Sequence, residues 1–438
     1  MATKMKMGLS VLAGLFLVLA SFTAAAELKV GAASADMTPD PAKMRVTTGG
    51  YGKFLGHVAK TVHDPIMAKA LVFSSGKTKA AWVAVDLVET SNEMREEVLR
   101  RLKGTDFNND NVFICATHTH AGPGAVEKIF VADVAFGPYS QKVVDTLAAG
   151  IVKAIKQADS NLQPATIGIA QALAPGLTRN RRVDYYNYDT RRFSKPYDPL
   201  TEPITDDTIT VIRIDDSNGK PFAILFHFAT HGTTLGPNNT ALSADWIGVT
   251  RKEIEAKYPG AMAMFVNGAQ GDQAPDEANI SDDFQAMEIF GKRVAEATLP
   301  LVEKTKPVNT DPLKYKIEWI DTRFAAKAEG IQFSESLTHL WFKQMPMSVI
   351  RVGDLIILGA PLEAVSEIGQ TAKDAAKGIG YKYPLFVGLM NQHYMYSATP
   401  DMIKHAKKGD YEVGNTMYGE MEAGYIIGEL ALIARELR

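Results

Sequence analysis

The chain has 438 residues, 46% of them apolar, and a formal net charge of −3. That apolar fraction excludes a disordered chain and is enough to bury a large core. Without a basic excess or a Lys/Arg block, nothing in it points to nucleic-acid binding. Length alone allows two or three domains.

The N-terminal stretch "MATKMKMGLSVLAGLFLVLASFTAAAELKV" carries Lys4 and Lys6, an apolar run from Leu9 to Phe22, and the small residues Ala24, Ala25 and Ala26. This is the order of a cleavable export signal. The run is short for a membrane span of about 20 residues. Residues 1–26 are therefore expected to be removed near Ala26, leaving a mature chain of 27–438 that is periplasmic or secreted. Cys115 is the only cysteine, so an internal disulfide is excluded. It lies in "VFICAT" and reads as a small buried side chain rather than a nucleophile.

Strand-like and helix-like segments then alternate. Residues 79–88 read as a buried strand. Residues 91–104 read as a helix with Ser91 as N-cap and Gly104 as stop. "NVFICAT" is the next strand, and 139–158 is an amphipathic helix with Val143, Val144, Leu147, Ile151 and Ile155 on one face. "ATIGIA", "TITVIRI", "FAILFHFAT" and "AMAMFVN" read as strands, and 282–304 as a long helix. "SVIRVGDLIILGA" is two strands around a Gly-Asp turn. Residues 361–378 read as a helix with Pro361 in its first turn and Gly378 at its stop, and a last helix runs through "YIIGELALIARELR". Residues 176–208, rich in Tyr, Arg and Asp, read as a long functional loop. The pattern predicts an α/β fold: a mixed β-sheet core flanked by helices, with the active site at strand C-terminal ends and loops.

Several strands end in polar clusters. "VFICAT" runs into His118-Thr119-His120, "FAILFHFAT" into His231-Gly232, and "AMAMFV" into "NGAQGDQAPD". "LIILGA" runs into Pro361-Leu362-Glu363, and "LFVGLM" into "NQHYMYS". Zinc favours imidazole and carboxylate ligands and, when catalytic, keeps a position open. His118, His231 and Glu363 would supply two neutral nitrogens and one charge. His120 either faces away, if the strand continues, or enters the same pocket as a general base, if a turn begins there. His227 and His231 have the i,i+4 spacing of helical zinc pairs. They sit on a β-type run without a His-Glu-x-x-His pattern, which excludes that class.

At this point a resemblance enters. "ATHTHAGPG" (116–124), "TRNRRVDYY" (178–186), "FATHG" with "SAD" (228–232, 243–245), "NGAQGDQAP" (267–275), "GAPLEAVSEIG" (359–369) and "NQHYMYSAT" with "DYEVGNTMYG" resemble, in order, the catalytic domain of neutral/alkaline (non-lysosomal) ceramidases. The resemblance implies a zinc-dependent amide hydrolase with one zinc per chain, a site for an N-acyl lipid or other small acyl substrate, and peripheral membrane contact. It implies His118, His231, Glu363 and Tyr396 as zinc ligands, with Tyr394 the rival of Tyr396 by position. His120 and Arg181 would line the reacting carbonyl, and Tyr411 would donate a hydroxyl to it. Zinc would polarise the carbonyl and activate a water, with His120 or Asp272 taking its proton. Arg179 and Arg182 are expected to be solvated.

Two departures bear on the substrate. Ala274, in "GDQAP", replaces the family's serine, and its methyl can neither donate a hydrogen bond nor attack a carbonyl. Family members also usually continue into a β-sandwich, whereas this chain stops at a helix ending in Arg438. Three functions follow: a ceramidase-like amidase, a zinc hydrolase of a small soluble amide or ester, and a non-catalytic binding homologue.

Overall fold

Three sheets organise the protein, and each has the same plan. The first runs Val112–Ala116, Thr78–Val85, Met67–Ser75, Lys29–Asp36 and Gln163–Pro164. The second runs Met262–Asn267, Pro221–Phe228, Thr208–Asp215, Thr166–Leu173 and Lys306–Pro307. The third runs Leu313–Asp321, Gln344–Val352, Leu355–Gly359 and Tyr383–Val387. Every sheet is antiparallel except for one parallel pair at its edge. A parallel pair needs a crossover, and each crossover carries a helix: Asn92–Arg101, Asp245–Lys257 and Ser366–Ile379. These are residues of a computed structural model that describes 27–438 apart from 52–54, 183–185, 188–191, 194–203, 277–279, 323–326, 329–330, 333–342 and 407–409. The expected export signal (1–26) and much of the Tyr/Arg-rich loop lie outside the described residues. Among the described residues no helix is long and apolar enough to cross a membrane.

One face of each sheet meets a shared apolar centre. Trp82, Phe113 and Cys115 come from the first sheet, Leu225, Met264 and Val266 from the second, and Ile357, Leu385 and Val387 from the third. The other faces are covered by helix pairs. Asn92–Arg101 and Gln141–Ser160 cover the first sheet, Asp245–Lys257 and Asp283–Lys304 the second, and Ser366–Ile379 and Glu422–Glu436 the third. Each pair buries the apolar stripe that its 3.6-residue periodicity creates. Polar side chains stitch the sheets together at their parallel edges. Asn267 Nδ2 donates to Thr117 O at 3.2 Å, and Asn391 accepts from Ile114 N at 2.9 Å while donating to Ser348 Oγ at 3.0 Å. The polar residues that follow these strands thereby meet in one place.

The helix expected over 361–378 begins later, at Ser366. Residues Glu363–Ala364 instead pair in parallel with Tyr396–Ser397, which keeps Glu363 on extended backbone. The stop is Gly380, with a left-handed φ of 106°, not Gly378. Ser91 caps its helix as expected, accepting from Met94 N.

Candidate metal centre and active site

The strand Val112–Ala116 ends and the backbone reverses. His118 takes a left-handed φ of 67°, a conformation uncommon outside glycine and concentrated at functional sites. The reversal puts His120 beside His118 rather than on the far face: their Nε2 atoms are 3.2 Å apart. Two glycines permit this close packing. A Cβ on Gly232 would lie 2.8 Å from His118 O, and one on Gly50 would lie 2.4 Å from the His120 ring. His231 follows Pro221–Phe228, and Glu363 follows Leu355–Gly359. The first, second and third sheets thus each contribute to one cluster.

The hydrogen bonds of the cluster define its chemistry. His118 Nδ1 donates to Val88 O at 2.6 Å, and His231 Nδ1 donates to Gln273 O at 2.7 Å. Each neutral ring then turns its Nε2 lone pair inward. Both Nε2 atoms lie 3.1 Å from Glu363 Oε2. Two lone pairs and a carboxylate oxygen converge, an arrangement that asks for a cation between them. Zinc–nitrogen bonds of about 2.0–2.1 Å in a tetrahedron put ligand atoms about 3.3 Å apart, so the spacing fits. The ligand atoms of His118, His120 and His231 all lie within 4.8 Å of one another, and all three residues are buried. His120 differs from the other two: its buried Nδ1 has no hydrogen-bond partner, so its tautomer is not fixed. Burial, reinforced by His118 and His231, holds its imidazole well below the usual range. The Glu363 carboxyl resists the upward push of burial and is held well below its range by His118, His231 and His393.

Arg181 stands over this cluster. Its guanidinium donates to Tyr396 Oη at 2.8 Å and to Glu412 Oε1 at 2.6 Å, and Nη1 lies 3.2 Å from His231 Nε2. Tyr396 Oη is 3.4 Å from His231 Nε2. Tyr394, its positional rival, donates to Gln344 O instead. Tyr411 is half exposed, with its ring 5.4 Å from that of Tyr396. Arg182 is not solvated: it pairs with Asp410 at 2.9 Å. Arg179 is also buried. Cys115 is inert, because burial pushes its thiol up to about 12.

Asp272 sits in a ring of donors. Its carboxylate accepts from Asn180 Nδ2 at 2.7 Å, Gln273 Nε2 at 2.9 Å, Ser366 N at 2.9 Å and Ser366 Oγ at 3.3 Å. Both oxygens of Asp272 are occupied and none of these partners is a histidine. It caps the helix Ser366–Ile379, and its backbone carbonyl accepts from Arg181 N at 2.8 Å. Sequence reasoning missed Glu412, which fixes Arg181, and His393, which lies 3.2 Å from Glu363 Oε1 and 3.0 Å from Glu89 Oε2. Burial would lower the His393 imidazole, but Glu363 and Glu89 outweigh it and push it to about 9. The one signal for His393 was its place in a polar strand end.

Residues 28–279 match the family model described as neutral/alkaline non-lysosomal ceramidase, N-terminal. The chain is 28% identical over 269 residues to a neutral ceramidase of Mycobacterium tuberculosis, covering 57% of this chain and 40% of that one. It is 25% identical over 326 residues to a neutral ceramidase of Drosophila melanogaster, covering 65% and 45%. The chain thus spans less than half the length of these two curated relatives. The crystal structure of neutral ceramidase from Pseudomonas aeruginosa superposes with a TM-score of 0.83 at 19% identity, over 94% of this chain and 74% of that one. This is a likeness of fold.

Proposed function

Because the chain belongs to the neutral/alkaline non-lysosomal ceramidase family, we propose that it is a zinc-dependent hydrolase of an amide bond in an N-acyl lipid. The observation that carries this reading is the convergence of His118 Nε2, His231 Nε2 and Glu363 Oε2, with the Nδ1 of each imidazole bonded away from the cluster to a backbone carbonyl. These residues would hold one zinc, with Tyr396 as the fourth ligand. The ion would supply Lewis acidity toward the acyl carbonyl and toward water.

The remaining chemistry belongs to the chain. His120 is neutral and has a free nitrogen, so it accepts the proton of the attacking water. Water oxygen bonds to the acyl carbon, and the carbonyl oxygen takes the negative charge. Arg181 stays charged because Tyr396 and Glu412 outweigh its burial. It donates to that oxygen, with Tyr411 adding its hydroxyl from the solvent side. His120 then returns the proton to the nitrogen as the C–N bond breaks, releasing amine and carboxylic acid. Ala274 has no part in this sequence. It lies buried in a short strand opposite Arg179. With residues 1–26 as a cleaved export signal, the reaction would take place outside the cytoplasm.

The test is hydrolysis of a panel of N-acylsphingosines, N-acyl amino acids and simple esters, with and without a chelator. Chelator-sensitive cleavage of the N-acyl lipids is expected. Cleavage of soluble esters alone would replace the lipid substrate, and full activity in a zinc-stripped protein would remove the metal mechanism.

A further inference from the structure

We infer that His393 is a positioning residue that makes Glu363 offer a single oxygen to the cation, an assignment that rests on the metal reading above. His393 is buried between two carboxylates, with Nε2 3.2 Å from Glu363 Oε1 and Nδ1 3.0 Å from Glu89 Oε2. The ring is wedged between the two carboxyl groups, with Nε2–H placed to donate to Glu363 Oε1 and Nδ1 held against Glu89. This ties up Glu363 Oε1. Oε2 alone is left to face His118 and His231, at 3.1 Å from each. Without His393, Glu363 would lose the bond that orients it and would be free to rotate Oε2 away from His118 and His231, which weakens the grip on the ion.

The bridge also crosses the fold. Glu89 follows the strand Thr78–Val85 of the first sheet, whereas Glu363 and His393 follow strands of the third. His118 follows a strand of the first sheet and Glu363 follows a strand of the third, so Glu89–His393–Glu363 ties together segments that carry two of the ligands. The backbone carrying His393 is shaped for this. Leu389, Asn391 and Met395 all have left-handed φ values, of 54°, 68° and 63°. Non-glycine residues hold such values where the surroundings enforce them. Thr90 Oγ1, next to Glu89, donates to Leu389 O at 3.0 Å, which joins the two segments independently of Glu89 and His393.

The experiment measures zinc affinity by chelator competition and the melting temperature of the zinc-free protein, in wild type, His393→Leu, His393→Gln and the double variant Glu89→Gln/His393→Leu. The double variant removes the carboxylate that His393→Leu strands, so a folded sample is available. Zinc affinity about 10–100-fold weaker is expected in both Leu variants, with recovery in His393→Gln, which keeps a donor toward Glu363. A fall in melting temperature with unchanged zinc affinity, or no recovery in His393→Gln, overturns the positioning role while leaving the metal centre standing. A wild-type protein that takes up no zinc overturns both.

Discussion

Glu363 and Asp272 are both buried carboxylates just beyond strand ends, yet their surroundings are opposite. Asp272 is ringed by donors: two side-chain amides, a backbone N–H and a hydroxyl. Glu363 Oε2 faces two imidazole nitrogens whose protons are directed elsewhere. A carboxylate with every lone pair answered by a donor is structural. A carboxylate turned toward other acceptors is waiting for a cation. Burial is the same for both and cannot separate them; the sign of the neighbours does.

Exchanging charge for an amide at each position is the sharpest contrast. Glu363→Gln should abolish zinc retention and lower turnover by about 1,000-fold or more, as loss of a Lewis acid worth several kcal/mol would. Next in size, Arg181→Lys should lower turnover about 100-fold with zinc content unchanged, because the lysine cannot satisfy Tyr396 and Glu412 while pointing at the reacting oxygen. Asp272→Ala leaves buried donors unanswered. It should cost about 1–3 kcal/mol in denaturant unfolding and still retain zinc; loss of zinc there would erase the distinction between the two carboxylates.

A smaller effect concerns pH. Burial, then Lys373, lowers His227 from 6.5 to about 4. The unfolded chain therefore takes up a proton before the folded one does. Stability is full above about pH 6.5 and declines as pH falls toward 4, by about 1–3 kcal/mol. His227→Gln should remove its share of that slope in urea titrations of zinc-free protein, leaving the shares of His231 and His120. Ala274→Ser is expected to change turnover least, since the mechanism uses no alcohol at that place. A large gain on N-acyl lipids would bring the hydroxyl into the chemistry.

Much of this was legible in the sequence. The strands announced themselves by apolar runs, and the helices by periodicity and by Ser91. His118, His231 and Glu363 stood out because polar residues interrupted those runs. The start of the 361–378 segment misled: Pro361 is a common first-turn residue, but pairing with Tyr396–Ser397 held Glu363 extended. The surroundings of Asp272 could not be foreseen, because its donors come from 180, 273 and 366, and their meeting is tertiary. His393 was visible as a histidine but not as a bridge, since Glu89 lies 304 positions away.

Zinc content and N-acyl hydrolysis, followed together as a chelator is dialysed in and zinc is added back, probe the converging acceptors at their root. A single zinc per chain should leave with the activity and return with it. A protein freed of all metal that cleaves its substrate at the full rate would contradict the reading of His118, His231 and Glu363 as the grip on a catalytic ion.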